Sequence, residues 1–516
     1  TRRVENSGTK PKTTSGGLLS RRVMLIAVAQ TSIALSALLK SLLLTRWFDR
    51  ATYGTYMQIL MVAQSIPPFL NLGLPDGIFY FGSAATPARR RMLIIYYYAV
   101  ALAPSALIVL LSGLLRLKVA DWMTNPDLAA YAWLIGLYTI AHLFEGMTIP
   151  TLVTTARPRL LAVLSVVHTI YDVGAIGVAW LLDSSLSVVI GLGIAGIAAK
   201  VLIVLSVVLA DRSSASAKQD ATDEQLPSLG RQVAYCLPLA FAAGCGWLRR
   251  SVARFIVAGL YPPAQFAVFA RGAFELPLVG MAATSMTQGI FPELVALAKK
   301  DDYHSFVGLW KEAIYRTAVV IFPVAAIVAV LSEQLMVLLF SEKYVDSTPI
   351  FQIFLLLLPI RISIYTYILR ALGMSYHVLG VSVMGLAGNA ALGWAMCLKL
   401  GPSGAAWGTV GGELLVVIAI LVMIWRRVQI PVSRLMPWGR LLHLLLVLIV
   451  PTAVALLLNW SLGHGTVAIL VVGTVFSALY YLLARYSGAI AQRDVDMVRG
   501  WIQRAFRRPQ REVGKN

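Results

Sequence analysis

LSVVIGLGIAGIAAKVLIVLSVVLA, residues 186–210, is a continuous apolar run whose one charged side chain is Lys200. About 20 consecutive apolar residues suffice for an α-helix to cross the hydrocarbon core of a bilayer, and soluble domains seldom carry runs of that length. Comparable runs begin near residues 22, 53, 92, 129, 160, 232, 266, 314, 347, 375, 403, 441 and 465. The pattern predicts an all-α polytopic membrane protein of about 14 transmembrane helices. Composition agrees: 58% of the 516 residues are hydrophobic, 13% are charged and the mean hydropathy is +0.75, which excludes an ordinary soluble protein.

The net charge of +20 would suit nucleic acid if it lay on one soluble domain. Instead the basic residues cluster at the ends of predicted helices, where they set topology, and nucleic acid is not an expected partner. With the N-terminus in the cytoplasm, 31 of the 44 Lys and Arg fall on the inner side, counting both tails. Only Arg46, Arg50, Arg116, Lys118, Lys343 and Lys399 fall on outer loops. This bias predicts a multi-pass protein with both termini cytoplasmic. Cys236, Cys245 and Cys397 lie in apolar segments without CxxC spacing and read as packing residues.

Residues 1–20 are polar and basic with no apolar stretch before Val23, which reads as a disordered cytoplasmic tail rather than a signal peptide. The segments 21–210 and 231–428 each hold six predicted helices, separated by a polar linker at 211–230. Two additional helices follow in 429–486. In the tail 487–516, Val495, Val498, Ile502 and Phe506 recur at helical spacing opposite Arg499, Arg504, Arg507 and Arg508, the pattern of an amphipathic helix on the inner leaflet.

The two six-helix segments look related. Phe48–Tyr56 (FDRATYGTY) at the first helix junction and Tyr261–Phe269 (YPPAQFAVF), 213 residues later, repeat aromatic and small residues at the same offsets. An even number of spans separates them, so both halves enter the membrane in the same sense. Two parallel six-helix bundles about an axis along the membrane normal are expected.

On these residues the sequence resembles a family. Leu44, Phe48, Tyr53, Gly54 and Tyr56, followed by Gly73–Phe81 (GLPDGIFYF), are similar to the first two helices of Wzx-type polysaccharide flippases. These belong to the multidrug/oligosaccharidyl-lipid/polysaccharide (MOP) superfamily. Further resembling pieces are Ala270–Pro277 (ARGAFELP), Pro292, Ala371–Gly373 (ALG) and Gly401–Trp407 (GPSGAAW). The resemblance implies a MATE-like pair of bundles that translocates an isoprenoid (undecaprenyl) diphosphate-linked oligosaccharide across a bacterial inner membrane by alternating access. It also implies membrane lipids, a polysaccharide polymerase and export machinery as partners. Superfamily members that carry drugs or peptidoglycan precursors share the architecture. A cation-coupled drug exporter and a membrane enzyme of polysaccharide assembly therefore stand as alternatives.

Seven cations, Lys40, Lys200, Arg249, Arg250, Arg254, Arg271 and Arg361, lie inside predicted spans. Each would cost about 3 kcal/mol facing lipid at the bilayer centre, roughly 20 kcal/mol together, more than the net stability of a typical fold. They must snorkel, pair with acids or line a polar interior, and such an interior would suit an anion. Arg361 lies mid-span without an acid within one turn. Arg250 and Arg254 share a helix face, Lys40 matches Arg254 in depth in the other half, and Arg271 has Glu275 one turn on. Arg361, Arg250, Arg254, Lys40 and Arg271 are thus the expected substrate-binding residues.

The intramembrane acids Asp172, Glu145, Glu275 and Glu413 are the expected ion-coupling positions, with pairing to the cations as the other reading; Asp76 lies near a helix end. His142 with Glu145 and His168 with Asp172 fit interhelical hydrogen bonding better than metal binding, and no metal or cofactor is expected. No GxxxxGK[ST] loop or large extramembrane loop appears, so no catalytic residue is assigned and the chain is not expected to be an enzyme.

Overall fold

In hydrocarbon a backbone has no water to bond to, so each apolar run must satisfy its N–H and C=O groups internally, as helix. The computed structural model describes residues 15–210, 229–274, 277–463 and 465–489, and no strand occurs among them. The first half holds α1 (Ser15–Trp47), α2 (Arg50–Ser65), α3 (Pro67–Leu70), α4 (Leu74–Ala84), α5 (Pro87–Val100), α6 (Leu102–Leu114), α7 (Arg116–Trp122), α8 (Ala132–Glu145), α9 (Thr148–Thr154), α10 (Pro158–Leu181) and α11 (Leu186–Leu209). Next come α12 (Leu229–Leu260), α13 (Pro263–Gly272), α14 (Pro277–Lys299), α15 (Tyr303–Val330), α16 (Ser332–Phe340), α17 (Thr348–Leu355), α18 (Leu357–Ile360) and α19 (Tyr365–Ala371). The last are α20 (Ser375–Leu400), α21 (Pro402–Val428), α22 (Val432–Leu435), α23 (Trp438–Leu462) and α24 (Thr466–Tyr486).

Eleven helical stretches among the described residues are long and apolar enough to cross a membrane, or twelve when the bent pair Arg50–Leu70 and Leu74–Ser83 counts as one span. The two remaining members of the expected fourteen are α12, which carries Arg231, Arg249, Arg250 and Arg254, and α13–α14, interrupted between Gly272 and Pro277. The four arginines of α12 and the break between α13 and α14 set these two apart from the other spans. Of the expected tail 1–20, residues 15–20 are instead the first turns of α1. Leu18 and Leu19 run on toward the span with no proline to stop the helix. Residues 1–14, 211–228 and 490–516, which include the expected amphipathic segment, lie outside the described residues.

The bent pair turns by 46°. Leu72 (φ 51°) and Gly73 (φ 71°) take up left-handed backbone at the break. Glycine is demanded at position 73 for a second reason: a Cβ there would sit 2.2 Å from the carbonyl oxygen of Cys236 on α12.

Several basic residues that bias the topology also close helix ends. Arg90 donates to the carbonyls of Gly82 (2.7 Å) and Ala85 (2.9 Å) at the C-terminus of α4. Arg157 and Arg91 donate to Val207 and Leu209 in the last turn of α11. A cation there satisfies carbonyls that lack an intrahelical donor and meets the negative end of the helix dipole.

The chain divides into two compact units, Thr1–Ser251 with Val257–Ala267, and Val252–Ile256 with Val268–Asn516. In the first, α1 lies along α10, and α8 packs against α2, α6 and α11. In the second, α20 pairs closely with α21, because Gly404 and Gly408 bring the α21 backbone against Met396 and Gly393 of α20. The two additional helices dock on α15: Arg440 of α23 pairs with Glu312 (2.8 Å) and covers the ring of Tyr315 at 3.7 Å, while Tyr480 of α24 donates to the carbonyl of Val319 (2.7 Å). The core of this unit is built on Trp310, Phe306, Ile368, Leu444 and Phe476.

Candidate functional site

Four intramembrane charges of the first unit, Lys40, Glu145, Asp172 and Lys200, are held in two buried ion pairs. Asp172 on α10 is buried, and its Oδ2 accepts from Lys40 Nζ (2.8 Å) and Ser36 Oγ (2.8 Å), both on α1 and one turn apart. His168, one turn before Asp172 on α10, holds its Nε2 3.5 Å from the same oxygen. A few residues away in space, Glu145 at the end of α8 accepts from Lys200 Nζ of α11 (2.9 Å) and faces His142 Nδ1 (3.2 Å). Lys200 is buried as fully as Asp172. Tyr138 stacks on His142 with centroids 4.8 Å apart, and with Lys40, Tyr56, Tyr171 and Asp172 it lines a pocket of about 10 Å³, room for roughly one water.

This arrangement neutralises each cation where lipid could not. Four helices supply the members, so the pairs also fasten α1 to α10 and α8 to α11. A carboxylate bonded to a lysine, a hydroxyl and an imidazole is one protonation step away from releasing its lysine, since a neutral acid no longer holds the ammonium by charge.

In the second unit Arg361 stands where the span Glu342–Ala371 breaks, between α18 and α19. One freed backbone group finds side-chain support, the N–H of Ile364 donating to Thr287 Oγ1 (3.4 Å), and beside it Trp310 Nε1 donates to the hydroxyl of Ser363 (3.0 Å). Arg361 Nε pairs with Glu413 Oε1 of α21 at 3.1 Å, and about a third of the Arg361 side chain stays exposed. The absence of an acid within one turn of Arg361 is thus made good by an acid 52 residues away.

Arg271 is buried on α13, with its guanidinium 5.0 Å from the centroid of the Phe340 ring. Its expected partner Glu275 lies outside the described residues. Arg250 is exposed on α12 in the first unit, and Arg254 is half-buried one turn later, in the second. Sequence spacing missed Ser36, Tyr138 and the pairing of Lys200 with Glu145. Ser36 was findable, since it precedes Lys40 by one helical turn; the others depend on which helices become neighbours.

Residues 43–349 match the family model described as polysaccharide biosynthesis protein. The chain belongs to this family. No curated protein matches its sequence. Among solved structures, this polysaccharide biosynthesis protein is similar to the lipid II flippase MurJ in an inward closed conformation, with a TM-score of 0.66 at 14% identity over 90% of this chain and 98% of that one. It is also similar to an inward-facing multidrug resistance MATE family transporter of the MOP superfamily, with a TM-score of 0.56 at 12% identity over 79% and 98%. A third similar structure is a MOP superfamily transporter from Pyrococcus furiosus, described as having a binding pocket of reverse polarity, with a TM-score of 0.50 at 12% identity over 81% and 99%. These likenesses establish the fold. The polysaccharide biosynthesis protein is a multi-span membrane protein built like the MOP superfamily transporters, as its resemblance to Wzx-type flippases implied.

Proposed function

We propose that this protein is a flippase that carries an isoprenoid-diphosphate-linked oligosaccharide from the inner to the outer leaflet of a bacterial inner membrane, with both termini cytoplasmic. The observation that carries the reading is the meeting, in one chain, of a polysaccharide-biosynthesis family match and a transporter fold.

In this mechanism Arg361, Arg250, Arg254, Lys40 and Arg271 supply the cations that hold the diphosphate, and guanidinium forks match phosphate oxygens two at a time. Asp172 and Glu145 in the first unit, with Glu413 and Glu275 in the second, are the ion-coupling acids. Protonation of Asp172 releases Lys40 for substrate, and deprotonation recaptures it after release. Arg361 exchanges Glu413 for a phosphate oxygen in the same way. Alternating access then follows from rocking of the bundles.

The test is surface polysaccharide in cells whose own flippase gene is deleted and replaced by this one. The native chain should restore surface polymer. Asp172→Asn, which keeps the hydrogen-bonding shape but holds the acid permanently neutral, should accumulate lipid-linked intermediate at normal protein level. Undiminished surface polymer with Asp172→Asn would remove the coupling role from this acid.

A further inference from the structure

On the first unit a crevice of about 130 Å³ opens between α2, α3, α6, α7 and α8. Its wall is apolar, with Ile66, Leu111, Leu115, Val119 and Ile135 among the lining residues, and no carboxylate lines it. Its two hydroxyls are already committed: Ser112 Oγ donates to the carbonyl of Val109 (2.8 Å) and Thr139 Oγ1 to that of Ile135 (2.7 Å). A polar guest would find little beyond those two hydroxyl oxygens to bond to within the wall, whereas an apolar chain gains contacts along it. The size suits a piece of hydrocarbon chain, since an apolar cavity of about 150 Å³ takes up a benzene ring.

One lining residue breaks the apolar pattern. Arg116, exposed at the start of α7, is the second residue past the end of the span Pro87–Leu114, so it stands where that span leaves the hydrocarbon. A guanidinium at headgroup depth, beside an apolar slot that runs into the membrane, matches the phosphate and chain of one amphiphile. We infer that the crevice seats an acyl chain of an anionic glycerophospholipid whose phosphate rests on Arg116. The bilayer supplies such a lipid in large excess over any lipid-linked cargo, and a slot of this size takes a chain segment rather than a long isoprenoid. The bound chain braces α3 next to the 46° bend. The site is separate from the buried ion pairs and stands whether or not the cargo is a glycolipid.

The experiment equilibrates the purified full-length protein with mixed phosphatidylglycerol and phosphatidylcholine vesicles, re-isolates it in mild detergent and counts retained lipids by mass spectrometry. The native protein should retain phosphatidylglycerol over phosphatidylcholine by about fivefold, the expected effect of one arginine at a charged headgroup. Arg116→Gln should bring the ratio toward one. Lys118→Gln, whose side chain does not line the crevice, should leave the ratio unchanged, and Val119→Trp should lower retention of both lipids. Leu111→Phe serves the same purpose where the tryptophan variant does not purify as a single species. An unchanged ratio in Arg116→Gln, an equal loss in Lys118→Gln, undiminished retention in both filled variants, or recovery of an isoprenoid lipid instead would each overturn the assignment. The readout is bound lipid and not transport, so failure here leaves the flippase reading untouched.

Discussion

At the residue scale, Lys200 and Glu145 show what holds a charge inside an apolar bundle. Removing one partner of a buried pair leaves the other charged without compensation, at a cost of about 3–5 kcal/mol, whereas removing both restores much of the loss. Lys200→Met should therefore lower the unfolding temperature in detergent markedly, and Lys200→Met with Glu145→Gln should recover most of the drop. Additive losses would show that the pair contributes nothing as a pair. A second residue acts at a helix end in water. The carboxylate of Asp302 accepts the N–H of Ser305 (3.1 Å) at the start of α15, and the hydroxyl and N–H of Ser305 hold its pKa below the usual value. Because the folded value is the depressed one, this contribution is complete above the ordinary aspartate range, about pH 4, and is lost as pH falls through the lowered value. Amide protection in the first turn of α15, with the intrinsic pH dependence of exchange divided out, should therefore fall on acidification, and Asp302→Asn should flatten that response. The pairs themselves were not legible in the sequence. Lys40 meets Asp172 across 132 positions and Lys200 meets Glu145 across 55, and helical spacing informs only over three or four.

At the element scale, the spans were legible because a long apolar run in this composition has one reading. Where elements bend, part of the signal was present: Pro67, Pro68 and Gly73 mark the α2–α4 break, and Pro359, two residues before Arg361, is the one such mark at the second break. There the chain is shaped by partners on other helices, Thr287, Trp310 and Glu413, which no local pattern announces. The α20–α21 pairing was not read from the sequence, where Gly401–Trp407 (GPSGAAW) carried only the family resemblance. A Cβ on Gly408 would lie 2.2 Å from the Cα of Gly393, a backbone atom that cannot swing aside. Gly408→Leu should force the two helices apart and cost at least about 1–3 kcal/mol, read as a lower unfolding temperature and reduced yield of folded protein. Unchanged stability would mean that the pair separates freely and that its close approach is not required.

At the scale of the whole molecule, the charge bias of the loops frames the transport reading. Single cysteines at Lys343 and Lys399 should react with an impermeant thiol reagent in intact spheroplasts, and those at Arg427 and Arg434 only after lysis, in a variant with Cys236, Cys245 and Cys397 replaced. The reverse pattern would turn the protein over in the membrane and with it the direction of transport. The most direct measurement is the passage of a fluorescent isoprenoid-diphosphate oligosaccharide across proteoliposomes holding the purified chain, followed by impermeant quenching of the outer leaflet. The native protein should move the probe well above protein-free vesicles, and Arg361→Gln should cut the rate by about tenfold or more, the loss of one charge-assisted phosphate contact. Native protein that is folded and inserted yet moves the probe no faster than empty vesicles would contradict the account.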